Sequence, residues 1–182
     1  MVRGLFWILA AVLLGGIVHL STVLAMPQAA KQDAYSRLAQ LTTVNAMMAL
    51  ATTKAGAEIM PFMDPAFAAA VCRYDLSDGP LKLITPLSQA YTSVTFYTRR
   101  SVAFYAINDR AAGRRTIELD LMTAAQHAQV PEDEEVTAAD RLIIESPTTM
   151  GLIVLRALAP EPGLMPMARQ ALAAATCRIQ SP

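Results

Sequence analysis

Histidine is nearly missing from this chain: only His19 and His127 occur in 182 residues, and the first lies inside an apolar run. The two cysteines, Cys72 and Cys177, are far apart and form no C-x-x-C pair, so the sequence offers no ligand set for zinc. No metal and no cofactor is expected. Neither sign of charge is in excess, with 15 Lys and Arg against 15 Asp and Glu, so the basic footprint that suits a polyphosphate backbone is absent. Nucleic acid is not an expected partner. There is no P-loop, dinucleotide fingerprint or G-x-S-x-G elbow.

What the chain has in quantity is apolar surface, 54% of its residues, much of it at one end. Residues 4–26, GLFWILAAVLLGGIVHLSTVLAM, carry no formal charge and follow Arg3. At about 1.5 Å per residue this run makes a helix of about 34 Å, comparable with a hydrocarbon core of about 30 Å. The expectation is a membrane anchor over 1–26 and a single exported domain over 27–182. A signal peptide cleaved after Val23-Leu24-Ala25, leaving a secreted soluble domain, and a buried core helix both remain open. Arg3 on one side and Lys31 and Arg37 on the other nearly cancel in setting orientation, but the very short N-terminal flank favours export of the C-terminal part. His19 lies outward from the middle of the run, where a neutral imidazole meets the interface, so it marks the edge of the span rather than an ion path.

In an exported domain Cys72 and Cys177 can form one disulfide, and closing a loop of about 100 residues stabilises by about 4–5 kcal/mol in the chain-entropy account. Two small, buried, unlinked thiols are the alternative.

The Ala-, Met- and Leu-rich stretch 31–60 predicts helix, in one piece or two, with Asp33 as a cap and breaks at Gly56 and Pro61. Asp64-Pro65 predicts a short helix through AFAAAVCR. From Tyr74 the pattern becomes that of strands: YDL and LKLIT around Ser77-Asp78-Gly79-Pro80 predict a hairpin. TSVTFYT (92–98) and VAFYAIND (102–109) predict a second one turning at Arg99-Arg100-Ser101, with Val94, Phe96, Val102, Phe104 and Ala106 on one face. TIELDL (116–121) alternates with Glu118 and Asp120 outward, a short helix follows at MTAAQHAQV, and GLIVLRAL is apolar on both faces, hence central in a sheet. A terminal helix should deliver Cys177. About seven strands with helices towards the ends predict an α+β fold: an N-terminal transmembrane helix, then a mainly antiparallel sheet or sandwich with flanking helices.

CRYDLSDGPLKL, YTSVTFYTRRSVAFYAINDR and the late TCR resemble small membrane-anchored proteobacterial proteins related to a domain of unknown function that precedes a β-jelly-roll domain in longer proteins. The resemblance implies an exported, anchored, β-rich domain holding both cysteines. The expected location is the inner membrane, single-pass, with the C-terminal domain in the periplasm, and a jelly-roll envelope protein is a candidate partner. The resemblance implies no reaction. Such proteins tend to carry an acidic residue after the tyrosine of the first strand and a glycine in the next turn, where this chain has Thr98 and Ser101.

Asn108, Asp109 and Arg110 at a strand end offer an amide, a carboxylate and a guanidinium to a polar ligand, although such residues also bond locally to backbone. Tyr91, Tyr97 and Tyr105 could form a row of phenols facing a sugar or aromatic ligand, or close the edge of a core. His127 is the only histidine placed to act as a general base, yet no nucleophile is evident near it; Ser93 and Ser101 lie in no recognisable triad. Glu132, Asp133, Glu134 and Glu135 lack the alternation and glycine of a calcium loop, and Met47, Met48, Met60 and Met63 suit core filling. The expected role is a non-catalytic binding or assembly module at the membrane; a small envelope hydrolase is the alternative.

Overall fold

The computed structural model describes residues 2–29, 33–51, 63–113, 115–130 and 142–180. Gly56, Met60, Pro61 and the acidic run 132–135 lie outside them. The chain divides into two units, Met1–Asp33 and Ala34–Pro182.

The first unit is one helix, α1 (Val2–Ala29). Its span Val2–Met26 has a mean hydropathy of 2.2, and large apolar side chains from Leu5 to Met26 are exposed on every turn. A helix apolar all round has no face suited to water.

The second unit contains α2 (Ala34–Leu38), β1 (Met47–Ala49), β2 (Phe67–Asp75), β3 (Leu81–Pro86), β4 (Thr92–Thr98), β5 (Ala103–Asn108), α3 (Asp109–Ala112), β6 (Thr116–Thr123), α4 (Ala124–His127), β7 (Leu142–Ser146), β8 (Met150–Leu158), α5 (Met165–Ala173) and β9 (Thr176–Ile179). The strands form two sheets, β1-β2-β8-β4-β5 and β7-β6-β3-β9. All neighbours are antiparallel except β6 and β7. An apolar N-terminal helix followed by antiparallel and mixed sheets is the α+β class that the sequence predicts.

Strand β8 is central, as its two apolar faces require: it pairs with β2 from Phe67↔Leu158 to Asp75↔Met150 and with β4 on its other edge. Its Ile153 and Leu155 join Val94 and Phe96 of β4, Leu81 and Leu83 of β3, and Leu119 and Leu121 of β6 in the main core. Leu152 faces the opposite way and joins Leu38, Leu50 and Val71 in a second apolar cluster. The five-stranded sheet is thus apolar on both sides, and its outer face is available to build a site.

Cys72 and Cys177 are bonded, with their Cα atoms 6.5 Å apart and a sequence separation of 105. Cys72 lies on β2 and Cys177 on β9, so the bridge joins the two sheets.

Several local expectations are corrected. AFAAAVCR is strand: Asp64 Oδ1 accepts from the Ala66 amide at 2.9 Å in a turn that opens β2 instead of a helix, and the nine-residue pairing with β8 overrides the helix preference of alanine. Ser77-Asp78-Gly79-Pro80 does not close a hairpin, because β2 pairs with β8 whereas β3 pairs with β6 and β9; the turn carries the chain from one sheet to the other. Within the described part of 31–60, only Ala34–Leu38 is helical. Asn45, at φ 58°, then clamps the Asp75 backbone, Nδ2 donating to Asp75 O at 2.9 Å and Oδ1 accepting from Asp75 N at 2.8 Å, and Met47–Ala49 pairs with β2.

The β4–β5 hairpin forms, but a bulge shifts its register: Phe96 faces Tyr105 and Tyr97 faces Ala103. Tyr105 and Ile107 therefore accompany Val94 and Phe96, while Val102 and Ala106 are exposed. Asp120 is fully buried rather than outward, where it accepts a hydrogen bond from Gln180 Nε2. Cys177 arrives on a strand after α5, and the described residues hold nine strands.

Candidate functional site

The outer face of the five-stranded sheet carries two adjoining clefts. The first, about 340 Å³, is lined by apolar side chains from three elements, among them Leu50, Val71, Leu152 and Val154, with Tyr97, Ser101, Asp64 and Arg156 adding polar groups. The second, about 330 Å³, is more polar and includes Tyr91, Ser93, Thr95 and Asn108. Phe67 and Arg156 line both. Strand alternation explains the arrangement: odd residues of β2 and β4 and even residues of β8 point away from the core.

The residues singled out in the sequence disperse over this frame. Tyr97 lines the first cleft and Tyr91 the second, whereas Tyr105 faces the core with its ring 6.0 Å from Phe96. The three phenols do not form one row. Asn108 borders the second cleft and also caps α3, accepting from the Ala111 amide at 3.0 Å. Asp109 opens α3 with Oδ1 buried and without a hydrogen-bond partner, and Arg110 is exposed.

His127 Nδ1 lies 2.5 Å from Glu145 Oε1 at an exposed position. Its helix is fixed by a capping box in which the Thr123 hydroxyl accepts from the Gln126 amide and Gln126 Oε1 accepts from the Thr123 amide. Among the described residues, no hydroxyl or thiol is hydrogen-bonded to His127. Three or more His, Cys, Asp or Glu side chains placed to hold a metal ion do not occur among the described residues.

Two features escape the sequence reading. The first is a stack: the Arg73 guanidinium lies 4.6 Å from the centroid of the Tyr35 ring, and that of Arg99 lies 4.2 Å from the same centroid. Its only sequence signal is one arginine inside the apolar stretch AAAVCRY. The second is the Tyr74 hydroxyl, 3.0 Å from Ser146 Oγ and donating to Tyr97 O at 3.2 Å. Burial raises the Tyr74 pKa above 10.0; hydrogen bonds with Ser146 and Thr148 act against this, and Tyr35 adds a smaller rise.

Residues 44–178 match the family described as "Protein of unknown function (DUF1254)", and the chain belongs to this family. No curated protein matches the sequence. The crystal structure of the VPA0106 protein from Vibrio parahaemolyticus shares the fold with a TM-score of 0.59 at 11% identity, over 81% of this chain and 33% of that one. A putative uncharacterized protein from Burkholderia cenocepacia aligns over 74% of this chain and 34% of its own, with a TM-score of 0.47 and 11% identity. The chain thus spans about a third of each of these longer proteins.

Proposed function

We propose that this DUF1254 chain is a single-pass membrane protein of the bacterial envelope, with α1 kept as an uncleaved anchor in the inner membrane and the β domain in the periplasm as a non-catalytic binding or assembly module. The observation that carries the reading is α1: its apolar side chains are exposed from Leu5 to Met26, an arrangement that a bilayer covers and water does not favour. The Cys72–Cys177 bridge supports an oxidising compartment. For binding, the clefts on the outer sheet face supply apolar area with a few polar groups, the usual make-up of recognition sites.

The partner we expect is a jelly-roll envelope protein. The support for this partner is the resemblance of CRYDLSDGPLKL and YTSVTFYTRRSVAFYAINDR to proteins of that kind.

Fractionation of cells expressing the full tagged chain tests the anchor. Retention in membranes through alkaline carbonate extraction, at a mass that includes residues 1–26, together with protease sensitivity in spheroplasts but not intact cells, is the expected result. A soluble form beginning after Ala25 would replace the anchor with a signal peptide, and protection in spheroplasts would reverse the orientation.

A further inference from the structure

On β8 the side chains that leave the core change character along the strand: Leu152 is buried, Val154 half-buried and Arg156 exposed. Alternate residues share a face and stand about 7 Å apart, so Leu152 to Arg156 covers about 14 Å of one wall. Arg156 is the register partner of Ala69 on β2 and of Ser93 on β4, so neither flanking strand sets a carboxylate opposite it. Among the described residues it makes no ion pair and no hydrogen bond. There is open space beside it, since it lines both the apolar cleft of about 340 Å³ and the more polar one of about 330 Å³. Among the described residues, Asp64 is the one acidic side chain on either wall; it belongs to the first cleft, and its Oδ1 accepts from the Ala66 amide at 2.9 Å. The second cleft adds Tyr91, Ser93 and Thr95, whose hydroxyls can donate, and no carboxylate.

We infer that the two clefts form one site for an amphiphile with a terminal carboxylate, of the medium-chain fatty acid type. The alkyl chain lies in the first cleft over Val71, Leu152 and Val154, and the carboxylate meets Arg156 where the second cleft begins. This deepens the reading of the outer sheet face as a recognition surface and rests on it. An alkyl chain suits the first cleft better than a peptide does. The floor is made of β2, β8 and β4, whose backbone groups already bond to one another, so peptide amides laid on it would lose water without gaining partners. Hydrocarbon carries no such groups and gains by leaving water. A neutral chain end would gain little from the guanidinium, whereas the fork of a single arginine matches a carboxylate.

The test uses the full chain in glyco-diosgenin, a detergent whose steroid body has no free alkyl chain to compete for the cleft. Thermal unfolding is followed by circular dichroism at about pH 8, where the carboxylate is ionised. Decanoate and decanol, equal in chain length and different in charge, are titrated separately. Decanoate should raise the wild-type Tm saturably, by several degrees at concentrations well above half-saturation, and decanol should need at least tenfold more. Arg156→Gln should need at least tenfold more decanoate while responding to decanol as wild type does. Val154→Trp, which fills the first cleft from its own wall, should lose the response to both. No saturable rise with decanoate, an equal response to decanol, or an unchanged decanoate response in Arg156→Gln overturns the site, and a full response in Val154→Trp overturns the placement of the chain. Arg156→Gln changes an exposed residue and decides the matter alone if Val154→Trp does not fold. Failure of this site leaves the anchor untouched, because fractionation decides that separately.

Discussion

Gly151 leaves the space that the Tyr74 ring occupies. The two are register partners on β8 and β2, and a Cβ at position 151 would lie 2.5 Å from Tyr74 Cζ and closer still to its hydroxyl and to the Tyr97 carbonyl. The missing side chain lets a fully buried phenol reach Ser146 on β7, in the opposite sheet. Two residues earlier on β2, Cys72 also crosses between sheets, to β9 at the other edge. One strand thus supplies both a polar and a covalent tie across the core.

Gly151→Ala should therefore destabilise the domain by about 1–3 kcal/mol or more, since neither the backbone carbonyl nor the packed ring can move freely. Urea unfolding of the full chain in detergent measures it. Introducing Tyr74→Ala as well should reduce the penalty of Gly151→Ala only in part, because the Tyr97 carbonyl remains in the way. Full additivity of the two changes would show that the ring and the glycine are not coupled.

Tyr74 should also limit stability in alkali. Burial raises its folded-state pKa above the ordinary 10.0, so between the unfolded and folded values the native state holds a proton that the unfolded chain has released. The contribution is complete below about pH 10 and is lost as pH climbs through the raised value. Urea midpoints at several pH values from 8 to 11 should fall more steeply for wild type than for Tyr74→Phe, which lacks the titrating hydroxyl. Parallel slopes would remove Tyr74 from the alkaline transition.

How much of this was legible depends on where side-chain alternation competed with other signals. In β4 and β6 the apolar residues recur every second position, and Val94, Phe96, Ile117, Leu119 and Leu121 are all buried as that spacing requires. In β2 the run AFAAA carries the propensity of a helix after an Asp-Pro start, yet alanine is small enough to sit on either face of a sheet, and the pairing with β8 decided the matter. The bulge that turns Tyr105 inward, and the burial of Asp120, depend on neighbours distant in sequence. The same holds for the site: Tyr91, Tyr97 and Asn108 were visible as polar groups near strands, but the stacking of Arg73 and Arg99 on Tyr35 joins three elements that no local pattern connects.

Loss of the disulfide should be the largest single change. A closed loop of 105 residues is worth about 4–5 kcal/mol on the chain-entropy scale, and here the link also holds two sheets together at buried positions. Replacing both cysteines by alanine should lower the urea midpoint accordingly, and protein made in a reducing cytoplasm should unfold earlier than protein exported to an oxidising space. Equal midpoints for the two preparations, with thiols confirmed free in the first, would show that the bridge contributes little.

Ser101 offers a test with the opposite sign. It lies in the β4–β5 turn at φ 62°, a left-handed conformation that costs about 1–2 kcal/mol for a residue with a Cβ and little for glycine. The glycine that the resemblance leads one to expect at this turn would suit that backbone geometry. Thr98 explains the other departure: its Oγ1 accepts from the Val102 amide at 3.2 Å, an acceptor role that an acidic side chain could fill equally well. Ser101→Gly should raise stability by up to about 1 kcal/mol, the relief of strain being reduced by the greater freedom of glycine in the unfolded chain. Thr98→Ala should cost about 1 kcal/mol, and Thr98→Asp should restore the lost acceptor. Ser101 also lines the apolar cleft, so a fall in the urea midpoint of Ser101→Gly would mean that its side chain supports the cleft wall more than its backbone strains the turn.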